Sequence, residues 1–470
     1  MKFNQFRFII PLFTIILLSS CLGTNTPTTV SSDRTFVSLT FATNDSIPYI
    51  STAKFTLNAD SMTIVNVDSL PYKTRIDSVY PTFTFKSSSR ATMFFPVGYK
   101  YKKDSAVITG KDTVDFSNLT QPIRVRNYAA DGKIYKDYFV KVNVHQVDPE
   151  LYIWNNVTGD IDSHSATSQK AITVNDTIFY YLNNATNAYL YKSTDGKTWS
   201  ELALTNFPAN TPLNDMQWFN GKLFFTQNGD ISNSSTNKIY SSSNSRDWTA
   251  KSSADYNYTS LLFILNNKLW AIMQSKADLK YHLANSTDGD IWSVLGEISA
   301  DFPVREFASL TFLSRTGRPK VIVTGGISQT NEQLKTNWST LDGINWIDFS
   351  IENHSLDTLA LGASIISYDE KLLLFGLRSD NSKSHYKVSK DEGLSWQIPD
   401  STYNYLPKDF ESRNYQSVVV YKPRTYSKYD TKQQDIESNR IYIIGGKTPT
   451  SVIKSDVWTG KLNRKNFLIQ

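Results

Sequence analysis

Asp215, Tyr258, Arg305, Arg413 and Tyr415 stand in or beside polar segments that lead into apolar, strand-like runs. Guanidinium donors, a carboxylate and aromatic faces make a set that stacks on and hydrogen-bonds a sugar or a peptide. Side chains of the same kinds also seal channel mouths without binding anything. Arg305 is followed directly by Glu306, and a lone Arg–Glu pair is usually a solvated surface pair. Even so, Arg305 and Arg413 are expected to point into one pocket. A second group of carboxylates, Asp195, Asp288, Asp342 and Asp391, lies a few residues ahead of Trp199, Trp292, Trp346 and Trp396. An Asp ahead of Gly organises a tight turn through its own carboxylate, which accounts for this group without a ligand.

Other chemistries find little support. The five histidines, at 145, 164, 282, 354 and 385, are scattered and never form an HExxH spacing, so no metal site or cofactor is expected. Gly325-Gly326 and Gly445-Gly446 lack the strand-to-helix setting of a phosphate loop, and no nucleophile-elbow sequence occurs. The formal charge of +5 is spread over 470 residues without a dense basic block, so nucleic acid is not an expected partner.

The single cysteine, Cys21, ends a basic start (Met1-Lys2 to Arg7), an apolar run from Phe8 to Leu18 and the small pair Ser19-Ser20. That order is the grammar of a secretory signal. It resembles the bacterial lipobox, in which cleavage precedes a cysteine that carries a lipid. The resemblance implies a signal peptide over 1–20, lipidation of Cys21 and a membrane anchor. Leu at position 22, rather than Asp, implies an outer-membrane lipoprotein of the cell envelope.

The elements that must position these residues are strands. Aromatics make up 13% of the chain and no sustained helical period follows the N-terminus, so the fold is expected to be all-β. Polar residues 21–34 form a tether. Seven short alternating segments between 35 and 148, with Asp131-Gly132 as a hairpin signal, predict an Ig-like β-sandwich. From 149 to 470 a Trp-ended turn recurs roughly every 50 residues, a period typical of repeat arrays. It ends at Trp199, Trp248, Trp292, Trp346 and Trp396, with a degenerate sixth at Trp458. A strand, a polar turn and another strand precede each, as in Trp218 to Phe225 around Asn220-Gly221. Such units predict a six-bladed β-propeller, with 151–154 pairing into the last blade to avoid a free edge.

Ser389 to Trp396 matches the Asp-box of sialidase-type repeats, and the double glycines look like kelch repeats. The arrangement as a whole is similar to an uncharacterised family of Bacteroidota lipoproteins with an Ig-like domain and a kelch/Asp-box-like propeller. The resemblance implies a structural role for the turn Asp and Trp residues and brings no activity with it. No Arg-Ile-Pro motif accompanies the repeats. The functional expectation is therefore a non-catalytic, lipid-anchored binding platform for glycan or protein. The alternative is a carbohydrate-active enzyme, a glycoside hydrolase or sialidase-like, with its site at the channel mouth.

Overall fold

A computed structural model describes residues 30–43, 45–47, 49–101, 103–118, 120–227, 237–350, 356, 359–377, 386–399, 406–422 and 439–463. The expected signal peptide and Cys21 lie outside the described residues. The regular elements of the described chain are strands apart from one short 3-10 helix, and the chain divides between Asp148 and Pro149 into two compact units.

In the first unit Phe36–Phe41 pairs with Pro81–Phe85. A six-stranded sheet runs in the order Phe55–Asn58, Thr63–Asn66, Tyr135–Lys141, Ile123–Tyr128, Arg90–Phe94, Ser105–Val107. Alternate side chains point to opposite faces of a strand, so Leu39, Ile64, Met93, Val125 and Val140 meet in one buried cluster drawn from both sheets. The hairpin at Asp131-Gly132 sets Tyr128 opposite Tyr135. Two features differ from expectation. Arg90–Phe94 and Ser105–Val107 are strands that alternation did not announce. The expected strand at 113–116 is reduced to a bridge between Val79 and Val114. Val114, Asp115 and Phe116 are all buried in succession, and the Tyr99 hydroxyl takes the Asp115 N–H at 2.8 Å, so this segment is tucked into the core and does not alternate.

The second unit contains six antiparallel sheets among the described residues. Sheet one is Ser168–Val174, Thr177–Asn183, Ala188–Ser193 and Ser200–Leu202. Sheet two is Met216–Phe219, Lys222–Thr226, Ile239–Ser242 and Thr249–Lys251. Sheet three is Tyr256–Leu265, Lys268–Ser275, Tyr281–Ser286 and Ser293–Glu297. Sheet four is Ala308–Leu313, Pro319–Thr324, Asn337–Thr340 and Ile347–Asp348. Sheet five is Leu359–Tyr368, Lys371–Leu377 and Tyr386–Ser389, with a bridge from Val388 to Gln397 beyond them. Sheet six is Ser417–Tyr421, Arg440–Lys447 and Ile453–Leu462, and its outer strand is Tyr152–Thr158 from the start of the unit.

Local sequence explains the meander. The first two strands of sheets two, three and five are joined at Asn220-Gly221, Asn266-Asn267 and Asp369-Glu370, and all six residues have positive φ. Asn, Asp and Gly tolerate the left-handed region that a two-residue hairpin of type I′ requires at both positions. The Trp-ended turns repeat one hydrogen-bond pattern. Asp195 Oδ1 accepts the N–H groups of Lys197 and Thr198, both at 2.8 Å, and Gly196 N–H donates to Ser193 Oγ at 2.8 Å. Asp288 and Asp342 repeat this. Asp391 takes the Ser395 N–H at 2.8 Å. In sheet two Asn244 Oδ1 accepts from Arg246 and Asp247, while Ser245 takes the left-handed place of the glycine. Hydrogen bonds from Ile291 and Asp290 hold the Asp288 carboxyl down at about 2.

Trp458 departs from the expected repeat. It lies inside Ile453–Leu462, not in a turn, and donates through Nε1 to Asp456 Oδ2 at 2.8 Å. The strand beyond it arrives from the other end of the domain, so no turn is needed to connect them. The remaining tryptophans are also unequal. Trp248 and Trp396 are buried, whereas Trp199, Trp292 and Trp346 are half-buried. Trp248 meets Tyr181, Phe207 and Phe225 edge-on at centroid distances of 5.7, 5.3 and 5.1 Å. Trp248→Ala is therefore expected to cost about 3–5 kcal/mol, the range for a large buried aromatic, and Trp199→Ala distinctly less. Urea titration of the two variants checks this, and equal losses would contradict it.

Candidate functional site at the axis of the sheets

The first strands of all six sheets line one cavity of about 190 Å³, each supplying at least one residue: Ile172, Gln217, Leu261, Ser309, Ile365 and Val418. Hydroxyls tie these strands together. Ser260 Oγ donates to Val304 O at 2.6 Å, Ser364 Oγ to Gln416 O at 2.5 Å, and Ala171 N–H to Ser417 Oγ at 2.7 Å. A second cavity of about 290 Å³ shares Asn214 and Glu306 with the first and adds Ser168, Gln169, Tyr415 and Lys447. Its lining comes largely from the loops that lead into the first strands, so it forms the mouth of the axial cavity.

Asp215 lines the axial cavity, but its carboxylate is already engaged. Oδ2 accepts from Thr226 Oγ1 at 2.6 Å and from Leu261 N–H at 2.5 Å. Leu261 lies where the register of Tyr256–Leu265 shifts, and Asp215 accepts the backbone N–H exposed there. Burial pushes the Asp215 carboxyl up to about 7, against the hydrogen bonds that favour its charged form. Lys170 shares the cavity, donates through Nζ to Asn214 O at 3.0 Å, and is shifted downward by burial, with Asp215 opposing.

Tyr415 and Glu306 meet at the mouth. The phenol donates to Glu306 Oε2 at 2.5 Å, and burial, reinforced by Glu306, raises the phenol above its ordinary range. Both residues are left-handed, each at φ 55°. Gly362 of sheet five lies between them, its N–H donating to Glu306 O at 3.3 Å and its carbonyl accepting from Tyr415 N–H at 2.9 Å.

The other expected ligand residues are elsewhere. Tyr258 is 3% exposed and packs against Trp292 in the core, because its place in a long first strand turns the ring between sheet faces. Arg413 is buried, forks onto the Asp456 carboxylate and donates through Nε to Glu411 O at 2.9 Å. Gly446 makes room for it, since a Cβ there would lie 2.6 Å from Arg413 Cδ. Arg305 reaches Asn331 at the surface. Neither arginine lines either cavity, so the expected shared pocket does not form. What the two loops do bring together is the next residue but one after Arg413 and the one after Arg305: Tyr415 and Glu306. Lys170 and Gln169 went unnoticed in the sequence. The available signal was a polar start, Ser168-Gln169-Lys170, to an otherwise apolar first strand.

An all-β chain whose sheets share a central cavity in this way is a β-propeller protein. Residues 148–470 match the DUF6242 beta propeller domain and residues 24–142 match the Domain of unknown function (DUF6242) N-terminal domain. The chain belongs to the DUF6242 family. Comparison with curated proteins finds no match. Among solved structures it is similar to YjhT (14% identity, TM-score 0.41, 64% of this chain and 96% of that one). It is also similar to an endo-arabinase from Bacteroides thetaiotaomicron (13%, TM-score 0.32, 65% and 98%). A thermostable family-43 glycoside hydrolase is a further likeness (13%, TM-score 0.31, 62% and 88%). At these identities the likeness concerns the fold alone.

The state of Asp215 has a measurable consequence. Its folded value of about 7 stands above the ordinary 3.8, so its contribution to stability is fully present below the unfolded value and is lost as pH rises through the folded one. Asp215→Asn is expected to flatten the decline in urea midpoint between about pH 4 and pH 7. An unchanged pH profile would refute the assignment.

Proposed function

We propose that this is a lipid-anchored protein of the outer membrane, held through Cys21, with an Ig-like β-sandwich as spacer. Its six-bladed, kelch/Asp-box-like propeller binds a glycan, or failing that a protein segment, at the mouth of the axial cavity. The observation that carries the reading is the make-up of that mouth. Hydroxyls, amides, a phenol, a carboxylate and an ammonium, from Ser168, Gln169, Asn214, Tyr415, Glu306 and Lys447, surround about 290 Å³. A concave site with convergent donors and acceptors suits a hydroxyl-rich ligand. The turn carboxylates have no part in it, since each is occupied by backbone N–H groups within its own turn.

One observation favours a second reading, a carbohydrate-active enzyme. Asp215 and Glu306 both line the axial cavity, and glycoside hydrolysis uses paired carboxyl groups, one of them protonated near neutral pH. A glycan array probed with the full chain in detergent tests the binding reading, which expects retention of a restricted set of glycans. Silence on the array together with retention on a peptide library would move the assignment to a protein partner. Release of new reducing ends from a retained glycan would establish the enzyme.

The anchor is tested separately. Cys21→Ser is expected to abolish incorporation of labelled fatty acid and to shift the protein from the membrane to the soluble fraction. Continued labelling would overturn the lipidation.

A further inference from the structure

We infer that Glu306 and Tyr415 are a ligand-reading pair that selects an uncharged, polyhydroxylated chain end at the mouth of the axial cavity; this rests on the glycan reading above.

The two residues occupy equivalent places in sheets four and six. Each stands two positions ahead of a first strand, Ala308–Leu313 or Ser417–Tyr421. Each follows a residue that makes the same isolated bridge, Arg305 to Ile327 and Asn414 to Lys447. Both bridge partners come directly after a double glycine. Both residues hold φ at 55°, a conformation that strains a residue carrying a Cβ. Asn or Gly would adopt it with less strain. Strain kept at two matching positions, in side chains that then meet, points to a task that the backbone alone does not set.

Their meeting depends on sheet five. Gly362, at φ 69°, bonds to the backbone of both, and a Cβ on it would lie 2.3 Å from the Tyr415 ring. The phenol is thereby laid against the carboxylate. Its proton goes to Glu306 Oε2 at 2.5 Å, which leaves Glu306 Oε1 and the phenol lone pair as acceptors.

Elsewhere the same lining offers donors. Asn214 contributes an amide. Lys447 adds an ammonium. A ligand must therefore donate to one part of the lining and accept from another within the span of a small ring, as adjacent hydroxyls do. A ligand carboxylate meets Glu306, and a ligand ammonium meets Lys447. A cavity ringed by the first strands of every sheet takes the end of a chain more readily than its middle.

The test is calorimetric titration of the full chain in detergent with a neutral oligosaccharide retained on the array, and with its uronic-acid and amino-sugar counterparts. Wild type is expected to favour the neutral sugar by about tenfold or more, the scale of one lost charge-assisted hydrogen bond. Glu306→Asn and Tyr415→Asn, which accept the left-handed backbone, are expected to lose about tenfold in affinity for the neutral sugar. Their thermal midpoints should stay unchanged or rise. If the pair is only a strut between loops, the midpoints fall while affinity stays, and the inference is overturned. A preference for either charged sugar overturns the ligand class. Wild type that binds no glycan removes the glycan reading itself, a result seen before any variant is made.

Discussion

The propeller domain depends on how the turn glycines are seated. A Cβ on Gly196 would lie 2.2 Å from the Tyr442 ring, on Gly289 2.2 Å from Phe224, on Gly343 2.5 Å from Trp270 and on Gly393 2.2 Å from Ile322. In every case the neighbour belongs to the second strand of the preceding sheet, and for sheet one the preceding sheet is sheet six. The glycine therefore answers two demands at once, a left-handed turn and the closest possible approach of one sheet to the next. Sheet two meets them differently. Ser245 carries a side chain, and Tyr181 reaches across from sheet one to donate to its carbonyl at 2.7 Å. The recurrent Asp fixes the turn so that its glycine can be presented in this way.

Polar groups inside the domain divide by the same logic. Those near the axis satisfy strand ends and bulges, as Asp215 does for Leu261, and some remain available to a ligand. One buried set away from the axis is closed on itself. Arg413, Asp456 and Trp458 Nε1 satisfy one another, and removing Arg413 or Asp456 strands the buried charge of the other. Two arginines in corresponding loops thus have opposite fates. Arg413 is locked inward by the Asp456 carboxylate, whereas Arg305 stands one place later, level with Asn414, and reaches Asn331.

Much of this was legible from residue order. Asn220-Gly221 and Asp131-Gly132 mark hairpins because few residues accept left-handed φ, and the spacing of Asp195-Gly196 to Trp199 marks a turn because its hydrogen bonds are local. That 151–154 would pair with the last sheet was legible too, from the need to cover an edge, although the strand runs on to Thr158. What was hidden is non-local. Nothing adjacent to Tyr258 says that its ring packs on Trp292, and nothing near Arg413 names Asp456. Of the candidate residues, Asp215 and Tyr415 do line the cavities, whereas Arg305 and Arg413 do not and Glu306, next to Arg305, does. Lys170 was hidden for another reason: a lysine at a strand start looks like a solvated end until five other strands surround it.

The outer strand of sheet six has a consequence in time. Ser455 N–H donates to Asp160, 295 residues earlier in the chain, and Tyr152–Thr158 lies along Ile453–Leu462. A chain that emerges N-terminus first makes this strand before any other part of the propeller and its partner near the end. Contacts so distant in sequence carry a loop-closure cost that is recovered late. Tyr152 and Trp154, buried when the strand is in place, stay without their final cover through the making of every sheet between. During folding that strand waits for its partner longer than any other strand described in the domain.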